Sequence, residues 1–350
     1  MTVVFKNKIS AHQLSIFCRQ LSTLLSAGVS LTQGLTLLST ITNTSLQKWL
    51  IFLKTRIEEG ESFSQALQQN SLYVDSFFLT LIATGEKSGT LDSMLIQIAI
   101  YKEKAAALER KIKKAAFYPT LVAFITLSIF IFFSFFTIPQ FEQLFTNFNA
   151  TLPPFTQQLI HFSRFLQENK IWLVGVLLGS FLFLRHTYFH SPSLQQQWDS
   201  VLLRLPVIGN ILKKYALIQL AQALAVTLNA GISLVEALTL LAPLSSNKIY
   251  SKATLDISKK VCLGFSLSTA LAENTLFPPF FIQMTLIGED TGALPQMLTL
   301  GAQLLESEIE HTLDNLTQLI EPLMMLALGL LVGAMLIALY LPIFKINFLL

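Results

Sequence analysis

The sequence predicts an all-α polytopic membrane protein with two homologous cytoplasmic helical bundles and three transmembrane helices. Three observations predict this fold class: few charged residues, three long apolar stretches and an internal repeat. Hydrophobic residues make up 52% of the 350 positions and charged residues 13%, against about 25% charged residues in soluble domains. The mean hydropathy of +0.57 agrees with this composition. We therefore expect much of the chain to contact the lipid bilayer.

Three stretches are apolar and long enough to cross a bilayer, which takes about 20 residues as a helix. They cover residues 117–138, 171–189 and 322–343. The first and the third contain no charged residue, whereas the apolar part of the second ends at Arg185. For each stretch the alternative is a helix buried in a soluble protein, and that alternative is strongest for the second.

Basic residues near these stretches predict their direction, because cytoplasmic loops are enriched in Lys and Arg. Four basic residues precede the first stretch closely, two separate it from the second, and four follow. We therefore expect residues 1–116 and 190–321 in the cytoplasm, and residues 139–170 and 344–350 outside. The direction of the third stretch follows only from the rule that successive spans cross the bilayer in opposite directions. The basic residues are Arg110, Lys111, Lys113 and Lys114, then Arg164 and Lys170, then Arg185, Arg204, Lys213 and Lys214.

The sequence repeats itself at a spacing of 203 residues. The segment LSAGVSLTQGLTLLS at 25–39 matches LNAGISLVEALTLLA at 228–242, and TGEKSGTLDSML at 84–95 matches IGEDTGALPQML at 287–298. Pro119 and Pro139 recur as Pro322 and Pro342, and 60–67 matches 264–271 at a spacing of 204. So many matches in one order indicate a duplication. Each copy is then a cytoplasmic bundle followed by an outward span, and the stretch 171–189 is the return crossing.

Apolar residues at spacings of three or four predict helices throughout each copy. Glycines followed by serines mark the helix ends, because glycine adopts the left-handed conformation and serine caps the next helix. We expect about six short helices in each copy, packed as an antiparallel bundle. The punctuating pairs are Gly28 and Ser30, Gly60 and Ser62, Gly231 and Ser233, and Gly264 and Ser266.

The repeated Gly-Glu-x-x-Gly segment resembles a phosphate-binding loop only superficially, because no Lys-Ser or Lys-Thr follows and no strand precedes it. We predict a joint between two helices, with a helix over 76–88 and with Gly89 and Gly292 in the left-handed conformation. Glu86 and Glu289 then lie in a last helical turn, where the macrodipole disfavours a carboxylate by about 0.3–1 kcal/mol. Either an internal partner or solvent compensates, or the carboxylates contact a partner protein or a cation. We hypothesise that Glu86 pairs with Arg19.

Catalytic and transport chemistry find little support in the sequence. The five histidines are scattered, and no HExxH, GxSxG or GxGxxG motif occurs. The predicted spans contain no Asp, Glu or Lys, which ion carriers usually place in mid-membrane. We predict a protein that is not an enzyme and has no cofactor, and we leave metal binding open. Cys18 and Cys262 are expected to be buried free thiols, and no run of like charges suggests nucleic acid.

An apolar stripe follows the first predicted span. One interpretation is a helix face that lies on the lipid headgroups, and the other is a docking surface for an apolar helix of a partner. The stripe consists of Phe141, Leu144, Phe145 and Phe148.

These segments together resemble the type II secretion F family, the inner-membrane platform proteins of type II secretion and type IV pilus assembly. The resemblance rests on AGVSL and AGISL, on GE-x-x-G-x-L in both copies, on LPPFTQ at 152–157 and on LPVIG at 205–209. It covers most of the chain. The family commonly has an arginine in the first helix of each copy. Arg19 fits this pattern, whereas the second copy has Gln222.

The resemblance implies a scaffold in the bacterial inner membrane, with a cytoplasmic N-terminus and a periplasmic C-terminus. Its implied partners are a hexameric assembly ATPase, pilins or pseudopilins, other inner-membrane assembly proteins, the lipid bilayer and further copies of itself. The implied pilin-facing residues are the stripe after the first span. The alternative is a small transporter with parallel repeats. The candidate residues for partner contacts or structural roles are Arg19, Glu86, Gly89, Glu289 and Gly292.

Overall fold

All regular elements of the described chain are helical, and the structure is a computed structural model. It describes residues 9–42, 44–69, 74–140, 154–169, 192–245 and 247–347, and also 171–172, 175–176, 179–180 and 182. No strand occurs within these ranges. The all-α class predicted from the helical periodicity is therefore confirmed.

The first copy begins with five short helices and continues into a long one. Its helices are α1 (Ala11–Ser26), α2 (Leu31–Ile41), α3 (Thr44–Glu58), α4 (Phe63–Gln68), α5 (Ser76–Ser88) and α6 (Leu91–Phe132). A π-helical turn at Phe133–Thr137 follows α6, and helical backbone continues to Gln140. Beyond it lies α7 (Pro154–Glu168), and the described positions between 171 and 182 are helical.

The second copy follows the same order of helices. A helix without a described counterpart in the first copy, α8 (Pro192–Arg204), precedes it. The helices of the copy are α9 (Ile208–Asn229), α10 (Leu234–Leu241) with a 3-10 turn at Ala242–Leu244, α11 (Lys248–Cys262), α12 (Leu267–Ala272), α13 (Pro279–Asp290) and α14 (Leu294–Asn347).

The helix ends follow the punctuation that the sequence predicts. Gly28 and Gly231 have φ angles of 81° and 80°, in the left-handed region. Ser30 accepts a hydrogen bond from the backbone N–H of Gln33, and the serine caps of α4, α10 and α12 make the equivalent bond. These predictions of helix ends are confirmed.

The last helix of each copy is long rather than short, which corrects the expectation of short helices throughout. Pro119 lies inside α6, and Pro322 and Pro342 lie inside α14. The prolines therefore do not mark helix ends. A proline in a helix costs about 3 kcal/mol, but apolar helices tolerate it where surrounding groups satisfy the freed carbonyl.

Two of the described helical segments are long and apolar enough to cross a membrane: residues 91–140 and 208–229. The apolar window of the first is only 11% buried, whereas that of the second is 50% buried, as in the core helix of a soluble protein. The predicted stretch 171–189 is only partly described. The predicted stretch 322–343 lies within α14, where Leu323 and Leu330 are exposed. The number of three spans stays a prediction.

The chain divides into two units, of which one holds the helices of both bundles. This bundle unit comprises Met1–Arg110 and Gln196–Glu310, and the second unit comprises Lys111–Gln195 and His311–Leu350. Aromatic side chains contribute to the mainly aliphatic core of each copy within the bundle unit. The ring centroids of Phe17 and Trp49 lie 5.4 Å apart in the first copy, and those of Tyr250 and Phe277 lie 6.0 Å apart in the second.

Candidate functional site

The carboxylate of Glu86 lies at the N-terminus of α4. Its Oε1 accepts a hydrogen bond from the backbone N–H of Phe63 at 2.6 Å, and its Oε2 accepts from the N–H of Ser64 at 3.1 Å and from Ser64 Oγ at 2.7 Å. Ser62 Oγ accepts from the N–H of Gln65 at 3.2 Å. The first three amide groups of α4, which no intrahelical bond can satisfy, therefore all have partners.

Glu289 plays the same part in the second copy. Its Oε1 accepts from the backbone N–H of Leu267 at 2.5 Å, and its Oε2 accepts from the N–H of Ser268 at 3.0 Å. Ser266 caps the third amide, that of Thr269. Each carboxylate thus opposes the dipole of its own helix but complements the positive end of the preceding helix. This is the internal compensation that the sequence left open.

Arg19 does not pair with Glu86, so the hypothesis of that ion pair is wrong. Arg19 lies on α1, and its Nε and Nη2 donate to the two carboxylate oxygens of Glu103 on α6, at 2.8 and 2.5 Å. The hydrogen bond from Arg19 lowers the pKa of Glu103 below its ordinary value of 4.5. The prediction failed because the amides of α4 already occupy the carboxylate of Glu86.

The second copy has the same contact without the positive charge. Gln222 and Glu306 lie 203 residues after Arg19 and Glu103, and Gln222 Nε2 donates to Glu306 Oε1. The departure from the family pattern at Gln222 therefore keeps the carboxylate partner and replaces an ion pair by a neutral donor. Gln222 links α9 to α14 as Arg19 links α1 to α6.

Gly89 and Gly292 form the turns of the two joints. Their φ angles are 71° and 67°, which confirms the predicted left-handed conformation. After Gly89, the N–H of Thr90 donates to the carbonyl of Gly85 at 2.8 Å, and α6 begins at the next residue. Asp92 lies in the first turn of α6.

Sequence reasoning missed the roles of Gly85 and Gly288. A Cβ at Gly85 would lie 2.6 Å from Met94 Cγ, and a Cβ at Gly288 would lie 2.9 Å from the Cα of Leu294. Both distances are shorter than real Cβ contacts, so the two helices of each joint approach closely only because this residue is glycine. The recurrence of glycine with methionine nine residues later was the signal that could have found it.

These residues form a structural joint that occurs once in each copy. Comparison with known proteins identifies the same two copies. A family model for protein F of the type II secretion system matches residues 17–139 and again residues 220–342. The chain belongs to the type II secretion system protein F family. The two matches are offset by the spacing of the repeat, so each copy is one protein F module.

Relatives of this protein F chain include pilus assembly and secretion proteins. The type IV pilus assembly protein TapC of Aeromonas hydrophila is 39% identical over 97% of this chain and 83% of its own length. The type IV pilus assembly protein PilC of Pseudomonas aeruginosa is 35% identical over 97% of this chain and 91% of its own length. The type II secretion system protein F of Pseudomonas aeruginosa is 28% identical over 99% of this chain and 85% of its own length.

Reactive groups are sparse in the protein F modules. Among the described residues, no group of three or more His, Cys, Asp or Glu side chains could hold a metal ion. Cys18 is buried, and burial raises the pKa of its thiol. Cys262 is exposed, so its predicted burial is wrong. It ends α11 next to the turn at Gly264, where the side chains point to solvent.

The predicted pilin-facing stripe lies outside the described residues. This applies to all of its members, Phe141, Leu144, Phe145 and Phe148. Its role therefore stays a prediction.

Proposed function

We propose that the chain is an inner-membrane platform protein that assembles type IV pili, or the pseudopilus of a type II secretion system. One observation supports this most: relatives named for type IV pilus assembly match both modules over 97% of the chain, at 39% and 35% identity. The secretion protein is 28% identical, so pilus assembly is the first choice between the two machines.

The proposed topology has three spans, at 117–138, 171–189 and 322–343, with both bundles in the cytoplasm. The exposed apolar side chains of α6 support the first span, since Phe117 and Phe124 are 68% and 67% exposed. In a soluble protein such a surface would be unfavourable by about 25 cal/mol for each Å² of apolar area. In a bilayer the same apolar side chains contact apolar lipid tails instead of water.

The proposed mechanism couples a hexameric cytoplasmic ATPase to the assembly of pilins. The ATPase contacts the bundle unit and reorients it during its cycle. Because α6 and α14 run without a break from the bundles into the proposed spans, a tilt or rotation of the bundle unit would move the spans as well. That motion would lift a pilin helix out of the bilayer.

The two modules offer the ATPase unlike surfaces. Residues 1–116 contain 13 Lys and Arg against 8 Asp and Glu, whereas residues 190–321 contain 7 against 11. A partner with one acidic and one basic face would therefore bind the two modules in one orientation. Charge complementarity of this kind gives specificity and faster association rather than affinity.

Deletion of the gene tests the proposed function. We expect loss of surface pili by electron microscopy, restored by the wild-type chain, and co-purification of an assembly ATPase with the tagged full-length protein from detergent-solubilised membranes. Loss of protein secretion with normal pili would select the secretion machine. Normal pili and normal secretion, together with solute transport by the purified protein in liposomes, would reject the platform in favour of a transporter.

A further inference from the structure

The two copies contact each other within the bundle unit through unlike surfaces. Tyr101 on α6 of the first copy shares a cavity of about 30 Å³ with residues of α9 to α11 of the second. We call the second-copy residues of that surface the second groove. They include Ala216, Gln219, Leu220, Ala223, Leu244 and Ser245.

A stripe on α6 extends this contact. Gln97, Tyr101 and Lys104, which we call the first ridge, also line a cavity of about 170 Å³ together with Gln222 and Asn229 of α9. Helix α5 of the first copy contacts α10 of the second. A ridge of one module thus lies against a groove of the other.

The first copy has an equivalent groove. Subtracting 203 from each residue of the second groove gives six residues that together line a cavity of about 200 Å³. The described residues that line it all belong to the first copy. We call it the first groove, and it consists of Gln13, Ile16, Phe17, Gln20, Ile41 and Thr42.

Exposure shows that the first groove is uncovered where the second is covered. Ile41 and Ile16 are 70% and 40% exposed, whereas their counterparts Leu244 and Gln219 are half-buried. Among the described residues, only the second groove has a neighbouring ridge on it, and the two modules differ at this surface for that reason. The apolar side chains left exposed are those that a ridge would cover.

The ridges show the opposite difference. Leu300 and Leu304 on α14 are 40% and 41% exposed, whereas their counterparts Gln97 and Tyr101 on the first ridge are half-buried. We call Leu300, Leu304 and Ser307 the second ridge. One chain therefore presents an open groove with exposed isoleucines and an open ridge with exposed leucines, which are equivalent by position to the groove and ridge in contact inside it.

We propose that the second ridge of one chain docks in the first groove of a second copy of this chain. This contact would repeat between chains the contact that the two modules make within one chain. Leu304 would take the place of Tyr101 and cover Ile16 and Ile41, so apolar surface would face apolar surface. The inference is independent of the ATPase and of the pilins in the proposed function.

The proposed interface is heterologous, because the two surfaces that meet are different. Each added copy leaves one groove and one ridge open, so growth ends only when a ring closes. A self-complementary dimer would instead bring identical residues of the two chains together. The two arrangements predict different pairs of residues in contact.

Cross-linking between tagged full-length chains in native membranes tests the proposal. Both chains carry Cys262→Ser to remove the exposed thiol, one carries Ile16→Cys, and the other carries Leu304→Cys. With a short bismaleimide we expect a product that contains both tags. Cys18 remains, because its buried thiol does not react.

A matched control uses the covered groove. Gln219→Cys takes the place of Ile16→Cys, and we expect no product between chains, because Tyr101 of the same chain occupies that site. Tyr101→Cys with Gln219→Cys in one chain should cross-link internally, which checks that the folded protein and the reagent behave as required.

Several results would overturn the proposal. They are the absence of an Ile16→Cys to Leu304→Cys product while the internal cross-link forms, an equal product with Gln219→Cys, or a product between two Ile16→Cys chains alone. Leu304→Glu should also lower the oligomeric mass of the solubilised protein without lowering its melting temperature. Cells that lose pili while the cross-link persists, or keep pili without it, separate this inference from the proposed function.

Discussion

Glu86 and Glu289 stabilise the fold although each lies in the last turn of a helix. Within its own helix such a carboxylate is disfavoured, but it accepts hydrogen bonds from amides at the start of the preceding helix. Hydrogen bonds to a charged group contribute about 1.5–3 kcal/mol. The contact between helices therefore outweighs the unfavourable dipole of about 0.3–1 kcal/mol.

We predict that Glu86→Ala lowers the free energy of unfolding by about 1–3 kcal/mol, because two partly buried amides lose their acceptor. Glu86→Gln should cost less, since its amide oxygen can still accept one of these bonds. Thermal or denaturant unfolding of the solubilised chain measures both changes. Glu58→Ala, which removes only an exposed side chain paired with Lys54, is the control. An equal loss in the control would reject the capping role.

The Arg19 and Glu103 pair should stabilise the fold only above acid pH. The pKa of Glu103 is lowered in the folded state by the hydrogen bond from Arg19. Its contribution is therefore fully present above the ordinary pKa of 4.5 and is lost as the pH falls through the lower folded-state value. Both side chains are substantially exposed, so the effect is small.

We predict that Arg19→Gln changes the stability at pH 7 only slightly, because exposed ion pairs contribute little and Gln222 makes the same contact in the second copy. The difference from wild type should shrink below the ordinary pKa of a glutamate. Denaturant midpoints at neutral and acid pH measure it. A difference that grows towards acid pH would contradict this assignment.

At the scale of elements, the Gly-Glu-x-x-Gly segment connects three helices at once. In the first copy Gly85 lets α5 approach α6, Glu86 caps α4, and Gly89 turns the chain. Helix α4 has only six residues, and a helix this short does not form without outside support. The recurrence of the segment is therefore explained by packing.

We predict that Gly288→Ala destabilises the second joint by about 1–3 kcal/mol, the usual cost of overpacking. The new Cβ would lie 2.9 Å from the backbone Cα of Leu294, which cannot move aside as a side chain can. Gly301→Ala is the matched control. Its Cβ would meet the ring of Phe281 at 3.5 Å, an ordinary contact, and replacing a helical glycine by alanine is favourable by up to about 1 kcal/mol.

Melting temperatures of the two variants test this prediction. We expect the melting temperature to fall for Gly288→Ala and to stay or rise for Gly301→Ala. If the two variants melt alike, the close approach of α13 and α14 is not needed for stability.

At the scale of the whole molecule, one duplicated sequence produces two different surfaces. The grooves and the ridges of the modules are equivalent by position, yet within the part of the chain that the structure describes only the second groove and the first ridge are covered. The side chains differ accordingly, since the covered ridge carries Tyr101 and the open one carries Leu304. The duplication therefore gave one chain an internal contact and left its complement open.

Both modules should react from the same side of the membrane, because their helices lie in one unit. Cys262 is an exposed thiol on the second module. Leu37→Cys, at a position that is 52% exposed, places one on the first module in a Cys262→Ser chain. We predict that a membrane-impermeant maleimide labels neither thiol in intact spheroplasts and labels both after lysis. Labelling of only one of them in intact cells would place the modules on opposite sides.

The sequence by itself determined the helical class, the helix ends and the duplication. These features depend on local physics: apolar spacing sets the helices, glycine reaches positive φ, and serine caps the next turn. Composition and apolar length also predicted residues 117–138 as a span, and they lie in a helical segment that is long and apolar enough to cross a membrane. The long α6 and α14 were not expected, because the bundle helices and the predicted spans were treated as separate elements.

Only the tertiary structure decided which distant groups meet. Glu86 lies 23 residues from Phe63, and Arg19 lies 84 residues from Glu103. Neither separation follows from periodicity, because a helix face fixes a direction but not the partner in that direction. The two modules share their local sequence pattern, so no local rule distinguishes the covered groove from the open one. That difference depends on where the chain places its second copy relative to its first.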